Sequence, residues 1–72
     1  MNLNQYFKDP DAKLPIKVIA TGSPYTNIPL GSTGTVLRRN KTTYTIRWDR
    51  NNQEEDLFIA GSSVAVLEVV ET

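Results

Sequence analysis

Chemistry in this chain has few residue types to draw on. There is no histidine and no cysteine, so the commonest general base, the commonest metal ligand and the thiolate nucleophile are all missing. The remaining candidates are carboxylates, hydroxyls and bases. Glu54, Glu55 and Asp56 are consecutive. On a strand only Glu54 and Asp56 share a face, and two carboxylates fall short of the six or so oxygens that a hard cation takes. The triplet therefore reads as a charged strand edge that keeps the molecule soluble and resists edge pairing. No catalytic residue, metal ligand or cofactor is assigned, and the expectation is a protein that is not an enzyme.

The bases are more suggestive. Between residues 38 and 50, Arg38, Arg39, Lys41, Arg47 and Arg50 stand against the single acid Asp49, a net of +4. Residues 51–72 hold Glu54, Glu55, Asp56, Glu68 and Glu71 and no base, a net of −5, while the whole chain is neutral. A basic ribbon of this kind can track a phosphate backbone. It can also meet an acidic protein surface, where arginine pairs carboxylates two-pronged. A third reading is a solvated face neutralised across strands by Glu54 and Asp56. Zero net charge argues against a non-specific nucleic-acid coat. Tyr25, between Pro24 and Thr26, is the aromatic best placed to join a binding surface, its other role being to pin its own loop. The expected partner is a protein, of unspecified identity, with nucleic acid as the alternative.

Those residues need a scaffold, and the pattern names one. Tyr44, Ile46 and Trp48 alternate with Thr45 and Arg47, the period-two mark of a strand with one buried face. Thr33 to Arg39 is a second β-branched run, joined to the first by the short polar turn at Asn40-Lys41. Trp48 falls in phase with the apolar residues, so it is expected in the core rather than as a peptide-binding platform. Upstream, Pro15 to Ala20 reads as the first strand, with Ile16, Val18 and Ala20 on one face. A loop of about 11 residues follows, with Ile28 and Leu30 expected to tuck it onto the core. Gly31 or Gly34 is expected to supply positive φ or a bend. Glu55 to Ile59 reads as a fourth strand with Leu57 and Ile59 inward. Ala60 to Ser63 suits one 3₁₀ turn, and Val64 to Val70 reads as a fifth strand whose inward face is ambiguous.

Residues 1–14 read as an N-terminal extension, weakly ordered or docked. Leu3, Tyr6 and Phe7 fall at helical spacing, Asn2 or Asn4 can cap a turn, and Asp9-Pro10-Asp11 stops it. Residues 15–72 read as one small domain. A chain of 72 residues buries only about 60% of its unfolded surface, and without cysteine no disulfide assists. The margin of stability is therefore thin, about 5 kcal/mol or less. No apolar run approaches the roughly 20 residues of a membrane span. The start Met-Asn-Leu-Asn-Gln-Tyr-Phe-Lys lacks a signal peptide's charged and apolar regions. The expectation is a cytoplasmic protein.

Five short strands, a long first loop and a 3₁₀ turn before the last strand describe an all-β, SH3-like five-stranded small barrel. The run Gly31-x-x-Gly34-Thr35-Val36 followed by Tyr44-x-Ile46-x-Trp48-Asp49 resembles the second and third strands of many such barrels. With Val18 and the Pro24-Tyr25-Thr26 loop, the chain looks most like a family of uncharacterised small bacterial and phage proteins. More distantly it is similar to photosystem I accessory subunit IV and to the variable chain of ferredoxin–thioredoxin reductase. Both are SH3-like partners of larger assemblies. The resemblance spans residues 16–60 and implies a fold and a binding role rather than a reaction. Where the family often has Asn-Gly after Trp-Asp, this chain has the longer and more charged Arg50-Asn51-Asn52-Gln53-Glu54-Glu55.

Overall fold

The computed structural model describes residues 1–21, 28–61 and 63–70. The elements in order are α1 (Leu3–Tyr6), β1 (Ile16–Ala20), β2 (Thr33–Arg39), β3 (Thr43–Trp48), β4 (Glu54–Phe58), α2 (Ser63–Val66) and β5 (Leu67–Val69). The strands form one antiparallel sheet in the order β4-β3-β2-β1-β5. It is a meander whose last strand returns to lie beside the first. β4 and β5 are its two ends and do not pair with each other, so the sheet is not closed.

The core follows from the alternation. Val18, Ala20, Val36, Tyr44, Ile46, Trp48 and Leu67 are buried on one face, and the register sets them side by side: Val36 opposite Ile46, and Ala20 opposite Leu67. Leu57 and Ile59 pack against this cluster but remain half-buried, because β4 has a neighbour on one side only. Of the two glycines at the β2 entry, Gly31 does what was expected and Gly34 serves a different need. Gly31 takes φ +83°, a left-handed turn that glycine enters without steric cost. Gly34 is in ordinary strand geometry opposite Trp48. A Cβ there would lie 2.9 Å from the Arg47 carbonyl oxygen and 3.1 Å from the Ile46 side chain, so close packing of β2 on β3 demands it.

Three expectations are corrected. The turn before the last strand is not a 3₁₀ turn followed by a strand from Val64. Instead Ser63–Val66 forms one α-helical turn, and β5 is only Leu67–Val69. The helical turn sets Val64 three residues before Leu67, on one side, and both join the core cluster. Val66 is also buried and Ala65 stays exposed, so packing overrides the β-propensity of the valines. Thr21 fixes the junction, its N–H and its hydroxyl both donating to the Val66 carbonyl at 2.7 and 2.8 Å. In the first loop, Ile28 packs on the core but Leu30 is 77% exposed. Finally, the β4 boundaries fall one residue earlier than expected, at Glu54–Phe58.

The N-terminal segment enters the same core. Asn2 caps α1 through a reciprocal pair: its side chain accepts from Gln5 N–H at 2.9 Å, and the Gln5 side chain accepts from Asn2 N–H. A four-residue helix has no stability of its own. Leu3, fully buried, and Phe7, whose ring centre lies 5.3 Å from that of Tyr44, hold it in place.

Candidate interaction surface

The solvent face of the sheet carries the charged residues in cross-strand rows. Lys17, Thr35, Arg47 and Glu54 are successive register partners across β1, β2, β3 and β4. Arg38, Thr45 and Asp56 form the next row. Strict alternation from Val36 would turn Arg38 toward the core. The irregularity in β2 between Val36 and Arg38 inserts Leu37 as an extra residue, so Arg38 faces outward with Thr45. The same shift places Arg39 opposite Tyr44.

The five bases consequently sit in different settings. Arg38 lies 3.6 Å from the Glu54 carboxylate, with both side chains largely exposed; such a surface pair contributes about 0–1 kcal/mol. Arg47 is exposed and opposite Glu54. Arg39 reaches back to the N-terminal segment, where Nη1 donates to the Phe7 carbonyl at 2.7 Å and the guanidinium sits 5.2 Å from the Phe7 ring centre. It is thus a fastener for α1 as well as a surface charge. Arg50 lies beyond the end of β3, 6.0 Å from the Trp48 ring centre. Lys41 is exposed in the β2–β3 turn. Tyr25 lies outside the described residues. Arg38 and Arg47 therefore share the outer face, while Arg39 and Arg50 are each set against an aromatic ring.

The acids are interleaved with the bases rather than set apart. Asp56 accepts a hydrogen bond from the Thr45 hydroxyl, and Thr45, flanked by Arg38 and Asp56, is buried on the outer face. Glu55 occupies the core-side phase opposite Ile46 but is exposed at the sheet's end. Across the ladder from Leu57, the buried Tyr44 has its phenol pushed above the usual tyrosine value. Burial is the main cause; the hydrogen bond to Ser63 opposes the rise and the Glu55 charge adds to it. Among the described residues no group of three or more Asp or Glu is placed to share a metal ion.

Sequence reasoning missed Phe58. It lies on the outer face opposite Thr43 and is 70% exposed. The available signal was its phase, one residue off both Leu57 and Ile59. The two sheet ends also differ in a way no sequence pattern announces. Along β5, Val69 N–H donates to the Met1 carbonyl at 2.9 Å, Asn2 bridges Glu68, and the N-terminal amine lies 3.4 Å from the Glu68 carboxylate. The N-terminal segment thus covers that edge. β4 has no such cover among the described residues.

A cavity of about 230 Å³ lies between α1 and the β1–β5 side of the sheet, with Tyr6, Ile16 and Val69 in its wall. No helix among the described residues is long and apolar enough to cross a membrane. Comparison with protein-family models, with characterised proteins and with solved structures finds no match for this chain.

Proposed function

We propose that this chain is a cytoplasmic, non-catalytic interaction module that binds a protein partner through an SH3-like barrel. The strand order, with the last strand returning beside the first through a single helical turn, supports that architecture. The observation that carries the binding reading is the alternation of sign on the outer face, where Arg38 and Arg47 lie against Glu54 and Asp56 ends the row that Arg38 begins. A polyanion meeting this face would encounter carboxylates beside every pair of bases. A protein surface, itself of mixed sign, can match it charge for charge.

The test is fluorescence anisotropy with labelled single- and double-stranded oligonucleotides over a salt series. The wild type is compared with a Lys41→Glu/Arg47→Glu variant, which spares Arg39 and its hold on Phe7. Phosphate contacts release counterions and give a log–log salt slope of about −0.7 to −0.9 per contact. The expected result is no binding tighter than about 10⁻⁵ M at physiological salt, the range of ordinary non-specific contact. Sub-micromolar binding at that salt, lost in the variant, would make this a nucleic-acid protein.

A further inference from the structure

We infer that the free edge of β4 is the docking site for an extended, basic segment of the partner protein, which adds to the sheet as a sixth strand. The inference rests on the proposed binding role and names the surface and the chemistry that role uses.

The backbone geometry comes first. In the β3–β4 ladder, Trp48 N–H donates to the Gln53 carbonyl at 3.0 Å and Ile59 N–H to the Thr42 carbonyl at 2.8 Å. Antiparallel pairs alternate between bonded and unbonded, so with this register Glu55 and Leu57 bond to β3. Glu54, Asp56 and Phe58 turn their N–H and C=O groups away from the sheet. The Phe58 carbonyl accepts from Gly61 at 3.0 Å, which leaves three N–H groups and two carbonyls pointing outward in strand geometry. That is the template used when an extended peptide joins a sheet edge. The opposite edge is already engaged by Met1 and Asn2.

Side chains then select the occupant. Two copies of this chain joined edge to edge in register would set Asp56 and its acidic neighbours against one another, which disfavours self-pairing. A strand with bases facing Glu54, Glu55 and Asp56, and apolar residues facing Leu57 and the exposed Phe58, matches the edge at every position. Glu54 is partly neutralised by Arg38 and Arg47, so Glu55 and Asp56 set the preference for a base. The carboxylates that deter acidic or self-complementary strands are the same groups that admit a basic one.

The probe is a capped heptapeptide, Thr-Val-Ile-Lys-Arg-Lys-Thr, titrated into the intact protein and followed by amide NMR shifts. Its acidic counterpart, Thr-Val-Ile-Glu-Asp-Glu-Thr, is run beside it. Two further forms of the basic peptide carry backbone N-methyl groups, one on Val and the first Lys, the other on Ile and Arg. A strand presents alternate N–H groups to its neighbour, so one methylation pattern should weaken binding about tenfold or more, for two lost hydrogen bonds, while the other is tolerated. Shifts and new exchange protection should centre on Glu54, Asp56 and Phe58, and Glu55→Lys should weaken the basic peptide. Equal loss with both methylation patterns, equal binding of the acidic peptide, no binding of the basic one, or shifts centred away from β4 would each overturn the edge site. Acidic-peptide binding mapped to Arg38 and Arg47 would do so while leaving the protein-binding role intact. Tight oligonucleotide binding would remove the role itself.

Discussion

Trp48→Ala is expected to cost about 3–5 kcal/mol, enough to leave the domain largely unfolded. The indole is 4% exposed, at the end of the strand that has neighbours on both sides. It faces Gly34 across the β2–β3 ladder, where the absence of a side chain brings the two backbones close. Arg50 lies near its ring. Truncation therefore opens a void bordered by strand backbone that cannot collapse to fill it. With a total margin of about 5 kcal/mol or less for a domain of this size, little would remain. The chain's one tryptophan is lost in the variant, so the measurement is urea denaturation followed by far-UV circular dichroism. A variant with the wild-type midpoint would mean that the ring is not part of the core.

The second large effect is at the opposite end of the chain. Leu3→Ala is expected to cost about 2–5 kcal/mol, although Leu3 belongs to a four-residue helix near the terminus. Its side chain is fully buried in the same cluster as Val18 and Tyr44, and with it go the position of Phe7 and the cover that Met1 and Asn2 provide along β5. Leu30→Ala is the matched control. It makes the same substitution at a residue 77% exposed, with an expected effect within about 0.5 kcal/mol. Thermal melts of the two variants should separate clearly. Equal melting temperatures would place α1 outside the folded unit.

The strands were legible because their apolar residues repeat every two positions. β1, β2 and β3 carry Val18, Val36, Ile46 and Trp48 in the phase that the alternation assigns. The approach to β5 was not legible, since Val64-Ala65-Val66-Leu67-Glu68-Val69 is apolar almost throughout and periodicity cannot distinguish a helical turn from a strand in such a run. Burial of Val64 and Leu67 in the core cluster, with Thr21 holding the Val66 carbonyl and Tyr44 bonded to Ser63, decides it. The bases were visible as a cluster in sequence, but their settings depend on a single inserted residue at Leu37, which exchanges the faces of Arg38 and Arg39. No local signal marks that insertion. The open edge was hidden for a similar reason: whether β4 or β5 is covered depends on where Met1 and Asn2 come to rest, a contact between the two ends of the chain.

Native-state amide hydrogen exchange reads both edges in one experiment. A sheet with β5 covered by the N-terminal segment and β4 open predicts alternation along β4, with Glu55, Leu57 and Ile59 exchanging slowly and Glu54, Asp56 and Phe58 quickly, while Val69 is slow despite lying at the sheet's end. Unbroken protection along β4, or rapid exchange at Val69, would contradict it.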